Sequence, residues 1–461
     1  MKQGWKTIIL GGLAWGLIMT MVSGQQAAGA EYAWKAGAAK VVITPSFDMW
    51  MSGYASRNKP SEGKVQDLYA KALALEDTEG HRSVIVTTDL IGLPGVLSER
   101  VAKKVTEDTG IPRAALMLTS SHTHSGPVLR GNLETMYALP KEEWAKVTQY
   151  TAELEQKLVQ VINEAVQKME PARLSRGTGT AGFAINRRQY NLNGISIGNN
   201  PIGPVDHDVP VLKVTDNNGK LQAVLFGYAC HNTTLSFYQF CGDYAGYAQE
   251  YVEKENPEAV ALYYIGCGAD ANPNPRSTLE DAKAHGQELG QAVQKVLSQP
   301  MQAVTGPLRT AQEVIDLPLS AAPSREQLQE QLKDPNVYVQ RRADSLLKQL
   351  DEQGKLPDTY PYIIQVWSFG KDFIFTALAG EVVVDYSLRL KHELGGKVWV
   401  AGYANDVCAY IPSLRVLREG GYEANDSMIY YGFHGPWAPP VEEMIISTVH
   451  KLVKQNEEGQ S

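Results

Sequence analysis

Short apolar runs of β-forming residues alternate with helical segments along most of the chain, and no other feature of the sequence constrains the fold as strongly. The runs cover residues 83–88, 114–119, 210–214, 221–228, 259–265, 363–367, 373–379 and 398–401. Helical periodicity covers residues 142–169 and 279–297, and Asp-Asn-Asn-Gly at 216–219 is typical of a hairpin turn. This pattern predicts an α/β fold, or an α+β fold, in which mixed sheets are flanked by helices.

Composition limits the class of function. The 461 residues are 43% hydrophobic, so the chain can bury a large core. The net charge is −8 and the sequence has no basic cluster, which argues against nucleic-acid binding and against electrostatic docking to an acidic membrane. An even number of cysteines allows disulfides, but their pairing stays open (Cys230, Cys241, Cys267 and Cys408).

The N-terminus has the pattern of a secretory signal peptide. Lys2 and Lys6 precede an apolar stretch, residues 7–22, and small residues follow at 28–30. We expect cleavage after Ala30 and a secreted or cell-surface protein, the alternative being an uncleaved membrane anchor. No other stretch is long and apolar enough to span a bilayer.

The expected mature protein is one catalytic domain, residues 31–455, followed by a disordered tail at 456–461. Ser324 and Gln327 form a capping-box signature that opens a polar helical region, residues 321–358. We interpret this region as a helical insertion, and a lid is the alternative.

Polar residues follow six of the predicted strands. In open α/β sheets, ligands bind beyond the carboxyl ends of the strands, so these segments are expected to share one site. They are Asp89, Ser-Ser-His-Thr-His-Ser-Gly-Pro at 120–127, Ala-Cys-His-Asn-Thr-Thr at 229–234, Gly-Cys-Gly-Ala-Asp-Ala-Asn-Pro at 266–273, Gly-Glu at 380–381, and Asn-Asp at 405–406 with Tyr410.

Histidines and a carboxylate in these segments predict a zinc site at the strand ends. His122 and His124 stand two apart, so extended backbone would direct both rings to one face. With His231 and Glu381 they form a set that holds zinc and leaves a position for water, whose pKa zinc lowers to about 7. Alternatively, His231 is a hydrogen-bonded core histidine and Glu381 caps the next helix. The remaining histidines are interpreted as surface or structural residues (His81, His207, His285, His392, His434 and His450).

The segment at 121–127, Ser-His-Thr-His-Ser-Gly-Pro, is similar to the Thr-His-Thr-His-Ser-Gly-Pro signature of the neutral/alkaline non-lysosomal ceramidases. Further segments resemble that family in the same order, from about Lys35 to Trp437, so the resemblance covers the whole expected mature chain. These segments are Asn186-Arg187, His231 with Thr233 and Thr234, Gly-Asp-Tyr-Ala-Gly-Tyr-Ala at 242–248, Gly380-Glu381, Tyr410-Ile411 with Tyr422-Glu423, and Gly435-Pro436-Trp437.

The resemblance implies a zinc-dependent amidohydrolase that acts on a linear N-acyl amide, ceramide being the type case. It implies one zinc ion per chain, bound by His122, His231, Glu381 and Tyr410. The role of Tyr410 rests mainly on the resemblance, and its alternative is a packed aromatic residue.

The resemblance also implies that His124, Arg187 and Tyr422 contact the reacting amide or its neighbouring hydroxyls. The expected partner is a small-molecule or lipid amide substrate, with transient membrane contact. The oligomeric state stays open.

The chain departs from the family at one loop. Family members carry Gly-Asp-x-Ser-Pro-Asn, whose serine is implicated in catalysis, whereas residues 268–273 read Gly-Ala-Asp-Ala-Asn-Pro. We therefore expect water activated by zinc to be the nucleophile, with Asp270 or a zinc-bridged carboxylate as the general base. Tyr422 and Arg187 would donate hydrogen bonds to the developing oxyanion or to a substrate hydroxyl. We also expect the chain to lack the C-terminal immunoglobulin-like domain of long family members.

The sequence is also compatible with two other functions. One is a zinc hydrolase of the same fold that acts on an acylated amino sugar, a peptide-like amide or an ester. The other is a non-catalytic surface protein that binds lipid or glycan, for which the missing serine would be a sign of lost activity.

Overall fold

The computed structural model describes residues 1, 3, 4 and 34–459. Contacts divide the chain into two units, Met1–Glu31 and Tyr32–Ser461, and the strands and helices of the described residues all lie in the second. The predicted signal peptide, residues 1–30, lies outside the described residues except at positions 1, 3 and 4. Within the described part, no helix combines the length and the apolar character needed to cross a bilayer.

Strands and helices alternate through residues 34–459, as the sequence predicts. The strands are β1 (Trp34–Val42), β2 (Tyr69–Asp77), β3 (Arg82–Thr88), β4 (Leu116–Ser120), β5 (Glu170–Thr180), β6 (Ala184–Asn191), β7 (Gly194–Asn200), β8 (Asp208–Thr215), β9 (Leu221–Tyr228), β10 (Val260–Ile265), β11 (Ala271–Pro273), β12 (Gln302–Val304), β13 (Leu308–Pro318), β14 (Thr359–Phe369), β15 (Phe373–Leu378), β16 (Glu381–Val382), β17 (Val398–Ala401) and β18 (Tyr410–Ile411). The helices are α1 (Gly95–Thr109), α2 (Lys141–Gln167), α3 (Asp243–Glu255), α4 (Leu279–Leu297), α5 (Arg325–Gln331), α6 (Val337–Gln353), α7 (Val384–Glu393), α8 (Leu414–Glu419), α9 (Met428–Tyr431) and α10 (Val441–Glu458). A π-helical turn, Tyr422–Asp426, lies between α8 and α9.

Two large sheets pack face to face between layers of helices. The first sheet has the order β10-β9-β8-β5-β1-β2-β3-β4, with β12 beside β5, and the second has the order β13-β14-β15-β17. One hydrophobic core joins the two sheets through large side chains such as Trp34, Trp367, Phe375 and Trp399. The outer face of the first sheet packs against α1 to α4, and that of the second against α7 and α10. The predicted mixed sheets with flanking helices are thus confirmed, since β3–β4, β9–β10 and β15–β17 are parallel and most other pairs antiparallel.

The helices form where their apolar periodicity predicts them. On α2, the residues Val147, Leu154, Leu158 and Val161 lie on one buried stripe against β1 and β2. The helix predicted at 279–297 is α4, and its first turn is closed by a capping box between Thr278 and Asp281. The hairpin predicted at 216–219 joins β8 to β9.

The predicted helical region at 321–358 contains α5 and α6, and the Ser324–Gln327 capping box is present. A small core of Leu328, Ala343, Leu346 and Leu356 holds the pair together. The hydroxyl of Tyr338 on α6 donates a hydrogen bond to the carbonyl of Ala55, 2.7 Å away. Whether the pair moves as a lid stays a prediction.

The C-terminal helix corrects the predicted tail at 456–461. Helix α10 continues to Glu458, because Asn456 is buried and its side-chain amide donates to the Val366 carbonyl and to Ser368. Residues 460 and 461 lie outside the described part. The ordered domain therefore extends beyond residue 455.

Candidate metal centre

The predicted metal ligands lie at the ends of strands from both halves of the fold. His122 follows β4 and His231 follows β9, while Glu381 begins β16 and Tyr410 begins the parallel partner strand β18. The expectation of extended backbone at His122 is wrong, because β4 ends at Ser120 and His122 adopts a left-handed φ of 61°. Such a conformation is strained for a residue with a Cβ and is frequent at functional sites.

Three side chains converge in what we call the donor triangle: His122, His231 and Glu381. The Nε2 atoms of His122 and His231 lie 3.2 Å apart. Glu381 Oε2 is 3.1 Å from His122 Nε2 and 3.2 Å from His231 Nε2. All three residues are almost completely buried. The three residues come from distant segments of the chain, and they meet at one place as the sequence predicts.

Hydrogen bonds outside the donor triangle fix the orientation of its members. His122 Nδ1 lies 2.6 Å from the Ile91 carbonyl and His231 Nδ1 lies 2.9 Å from the Gly268 carbonyl, so each Nδ1 carries the proton. Tyr431 and Tyr403 donate to the Glu381 carboxylate. Outer partners of this kind orient metal ligands and raise their basicity.

Burial and neighbouring charges keep His231 unprotonated and the Glu381 carboxylate ionised. Burial, reinforced by the charge of Arg187, lowers the pKa of His231 to about 3. Burial raises the pKa of Glu381, but His122 and His231 outweigh burial and hold that pKa well below its usual range. These are the protonation states in which both residue types bind metal ions.

The donor triangle fits a divalent cation. Because the Nδ1 atoms carry the protons, both Nε2 lone pairs face each other and the carboxylate, and such donors repel one another unless a cation lies between them. Separations of 3.1–3.2 Å also approach the ~3.3 Å edges of a tetrahedron with zinc bonds of ~2.0 Å. Two imidazoles and a carboxylate are a ligand set that zinc prefers.

Two further donors border the triangle. His124 Nε2 lies 3.1 Å from His122 Nε2, and Tyr410 Oη lies 3.2 Å from His231 Nε2. The three histidines alone form a group in which all ligand atoms lie within 4.8 Å of one another. The sequence assigns Tyr410 to the metal and His124 to the substrate, and the structure brings both to the triangle. Their separate roles stay a prediction.

A second group of ligand-type residues, Asp77, Glu79 and His81, is a poorer metal site. Glu79 pairs with Arg309 at 2.7 Å, and Asp77 accepts the backbone N–H of Leu308 at 2.8 Å. Glu79 and His81 are also half exposed. These carboxylates already have partners within the protein.

A cavity of about 310 Å³ opens beside the donor triangle. His124, Arg187, Tyr410 and Tyr422 line it, so the predicted substrate contacts share one cavity with one predicted metal ligand. Much of the remaining wall is aromatic or apolar, formed by Tyr54, Met136, Ile197 and Tyr430. The volume is at the lower end of the ~300–1000 Å³ typical of small-molecule sites.

Arg187 connects the cavity to the donor triangle through Tyr410. Its Nη2 lies 3.0 Å from Tyr410 Oη, and its Nε donates to Glu423 at 2.7 Å. Glu423 also accepts from Arg188 at 2.6 Å, and all three charged groups are buried. Removing one charge from such a buried network leaves another unpaired, so the network holds the guanidinium firmly in position.

The structure does not bring Asp270 to the cavity. Its Oδ1 accepts the backbone N–H of Val384 at the start of α7, and its Oδ2 accepts the Asn186 amide. The Asp270 carbonyl accepts the N–H of Arg187 at 2.7 Å, so the residue supports the strand that carries Arg187. Burial raises the pKa of Asp270 to about 7. The predicted role as general base has no contact to support it, and the contacts are those of a loop-shaping residue.

Asn272 is a cavity residue that the sequence analysis did not select. Its Oδ1 lies 3.4 Å from both Arg187 Nη1 and Thr233 Oγ1, which leaves Nδ2 without a hydrogen-bond partner among the described residues. The signal was present in the sequence. Asp-Ala-Asn-Pro-Asn at 270–274 aligns with Asp-x-Ser-Pro-Asn, which puts Asn272 in the place of the serine.

The other histidines and the cysteines give no sign of a further centre. His285 and His434 are buried and each lies within hydrogen-bond distance of a backbone carbonyl, in agreement with a structural role. All four cysteines lie in the described part, where they are buried and unpaired, so no disulfide forms.

The family model and the sequence relatives that match this chain belong to the same family. A family model described as neutral/alkaline non-lysosomal ceramidase, N-terminal, matches residues 34–272, just over half of the chain. Neutral ceramidase A of Dictyostelium discoideum is 27% identical over 52% of this chain, and neutral ceramidase of Pseudomonas aeruginosa is 29% identical over 43%. These matches span 36% and 30% of the relatives, about a third of their length.

The fold is also similar to solved structures. The crystal structure of neutral ceramidase from Pseudomonas aeruginosa has a TM-score of 0.70 at 18% identity, over 92% of this chain and 74% of that chain. A structure of ceramidase complexed with C2 matches with the same TM-score over 76% of its chain, also at 18% identity. The likeness in fold therefore extends well beyond the segment that sequence comparison matches.

Proposed function

The chain belongs to the neutral/alkaline non-lysosomal ceramidase family, and on that premise we propose that it is a zinc-dependent hydrolase of an N-acyl amide. The observation that carries the proposal is the donor triangle, which borders a cavity lined by Arg187 and Tyr422. A purely structural histidine cluster has no need of lone pairs directed at one point.

His122, His231 and Glu381 would hold the zinc ion, with Tyr410 as the fourth ligand. Bound there, zinc supplies Lewis-acid activation of the scissile carbonyl and of water, the proposed nucleophile. The Arg187 guanidinium contacts Tyr410 Oη and stabilises negative charge on that oxygen. The Arg187 guanidinium would also orient a carbonyl group placed in the cavity.

Hydrogen-bond donors on the cavity wall match the charge that develops during amide hydrolysis. Asn272 Nδ2 and Tyr422 Oη have no partner among the described residues, and both residues line the cavity. Asn272 would donate to the developing oxyanion, as donors held in position before the reaction stabilise the transition state most. Tyr422 would donate to a hydroxyl beside the amide.

Proton transfer to the leaving nitrogen requires a group at the cavity. His124 lines the cavity and its Nε2 lies against the donor triangle, so it would take a proton from the attacking water and pass that proton to the leaving amine. Asp270 is not so placed, because both of its oxygens bond Val384 and Asn186.

The proposal is tested by elemental analysis of the purified protein, followed by hydrolysis of ceramides, N-acyl amino sugars and esters. We expect about one zinc per chain, and amide turnover that a chelator removes and added zinc restores. Protein without metal would refute the zinc site. Ester turnover without amide turnover would refute the amidase, and tight binding without turnover would favour the non-catalytic function.

One observation favours an acidic amide as a second candidate substrate. Arg276 lines the cavity and makes no ion pair within residues 34–459. Together with Arg187 it would attract a carboxylate, which an N-acyl amino acid carries and a ceramide lacks. Arg276→Gln should raise the KM for N-acyl amino acids and leave that for ceramides unchanged, whereas equal effects on both would reject this candidate.

We also propose that the protein is exported, on the evidence of the predicted signal peptide alone. The mature protein recovered outside the producing cell should begin after Ala30. An intact N-terminus in a membrane fraction would instead indicate the uncleaved anchor.

A further inference from the structure

An uncharged segment forms part of the cavity rim. Residues 189–205, which we call the rim hairpin, comprise the β6–β7 turn and the loop after β7. None of them is Asp, Glu, Lys or Arg, although 20% of the whole chain is charged. Surfaces of water-soluble proteins are normally rich in charge, so this segment is exceptional.

Large apolar side chains of the rim hairpin are exposed. Leu192 is exposed to 105% and Ile202 to 92%, while Tyr190 and Ile197 are exposed to 58% and 48%. The side chains between them are neutral amides and hydroxyls, among them Asn193 and Ser196. Four exposed side chains of this size on one segment that carries no charge indicate an interaction surface.

The rim hairpin is held rigidly beside the cavity. Ile197 lines the cavity itself. At the base of the hairpin, Arg188 is buried and bonds Glu419 and Glu423, and the Tyr190 hydroxyl donates to Glu419 at 2.8 Å. On the other strand, a Cβ added to Gly421 would lie only 3.0 Å from Ile195 Cβ, so the turn next to Tyr422 packs closely against the hairpin.

We propose that the rim hairpin docks on an uncharged lipid surface, into which Leu192 and Ile202 insert, and so presents a lipid amide to the cavity. This inference deepens the proposed function and, as regards the substrate, rests on it. Because the hairpin carries no cations, zwitterionic lipid suffices and anionic lipid adds nothing. A cavity of about 310 Å³ holds the reacting head while a long acyl chain stays in the lipid.

A lipid surface fits the rim hairpin better than a protein partner does. A stable protein interface needs about 800 Å² of well-packed surface on each side. Here the apolar side chains are spread along the hairpin, with Leu192 in the β6–β7 turn and Ile202 in the loop after β7, and the amides between them would remain among lipid headgroups. Binding to a lipid surface, by contrast, strengthens with the apolar area that is inserted.

The test is cosedimentation of the metal-loaded protein with vesicles of pure phosphatidylcholine. The parent should bind, and Leu192→Glu/Ile202→Glu should weaken binding about tenfold or more, because each Leu or Ile removed from lipid forfeits a large apolar transfer free energy. The matched control is Val314→Glu/Leu388→Glu, which changes two exposed apolar residues outside the hairpin, at 53% and 38% exposure. It should bind within about twofold of the parent.

Each outcome decides the proposal. Thermal unfolding and zinc content show that the variants are folded, which is expected because the changed side chains already face solvent. A parent that does not bind, equal loss in both variants, or binding that needs anionic lipid and disappears in salt would overturn it. So would a lipid-free dimer that Leu192→Glu/Ile202→Glu converts to monomer, since that identifies a self-association surface. Binding is measured without turnover, so failure of the proposed hydrolysis is recognised separately.

Discussion

The donor triangle and the cavity wall that faces it differ in how completely their polar groups are satisfied. In the triangle, His122 and His231 each use Nδ1 on a backbone carbonyl, and Glu381 accepts from two tyrosines. On the wall, Asn272 Nδ2 and Tyr422 Oη have no hydrogen-bond partner in the described part of the chain. The groups of the triangle are thus held in place by hydrogen bonds from behind, while two polar groups of the wall line the cavity without a hydrogen-bond partner among the described residues.

This difference coincides with the pattern of family resemblance. The triangle lies in segments that match the family signature, whereas the wall contains Asn272 in place of the serine. On the proposed function, the triangle would hold the metal ion, and the donors of the wall would stabilise the transition state of the bound amide. The following changes test whether the two regions are separable.

The largest effect is expected from removing two triangle donors. His122→Ala/His231→Ala should abolish zinc binding and lower turnover by about a thousandfold or more, since the metal contributes several kcal/mol of transition-state stabilisation. Metal content and turnover are the measurements. His285→Ala is the control, because it removes a buried histidine that lies outside the triangle. Zinc retained in the double variant would show that the triangle is not the metal site.

A change on the wall should affect turnover without affecting the metal. Asn272→Ala should lower kcat by about 100- to 1000-fold, the usual effect of losing one oxyanion donor, with zinc content unchanged. Asn272→Ser restores a short donor and should recover part of the loss. If Asn272→Ala also loses zinc, the two regions are coupled and the comparison fails. If it keeps full activity, Asn272 has no catalytic contact.

Loss of a hydrogen bond that supports the triangle should weaken zinc affinity more than the loss of a donor on the cavity wall does. Tyr431→Phe removes one donor to Glu381 and should weaken zinc affinity about 10- to 100-fold, as measured by competition with a chelator. Tyr386→Phe is a matched control, since it removes a buried hydroxyl that bonds the Pro412 carbonyl instead. Equal zinc affinity in both variants would mean that Tyr431 does not orient the carboxylate.

Much of the site followed from the sequence because its residues stand at strand ends. Helix α4 and strand β9 were predicted with their observed bounds, and His122, His231 and Glu381 met as expected. Strands such as β1 and β2 were missed because they are rich in alanine and lysine, which have low β-propensity. Their pairing across the sheet, over nine aligned positions in β1–β2, outweighs that local preference.

The direction of the Asp270 carboxylate could not be inferred from the sequence, because it depends on tertiary contacts. A carboxylate two residues before Asn272 is expected near the same cavity, yet its oxygens point to Val384 and Asn186. Asp270 was selected because a carboxylate can act as a base. Asn272 was missed because its amide does not titrate, and the sequence analysis selected residues by their acid–base or metal-binding chemistry. A side chain's direction is set by tertiary contacts, which spacing alone does not reveal.

The smallest effect on turnover is expected from Asp270→Asn. If Asp270 only shapes the loop, turnover should fall less than about tenfold, whereas a lost general base costs about 100- to 10,000-fold. The isosteric amide keeps the acceptor for the Val384 N–H. It places an N–H₂ group opposite the Asn186 amide, which adds a constant destabilisation of about 1–3 kcal/mol at every pH.

The pH dependence of stability separates this substitution from a general loss of packing. Burial raises the pKa of Asp270 from 3.8 to about 7, so the folded protein holds a proton that the unfolded chain has released. The parent should therefore lose stability as pH rises from about 4 to about 7, by about 4 kcal/mol in total. The amide of Asp270→Asn does not titrate, so the free energy of unfolding of the variant should rise relative to that of the parent over this pH range. Chemical denaturation at several pH values measures this difference. Parallel pH profiles for the two proteins would show that Asp270 is ionised without cost and would reopen its assignment as a base.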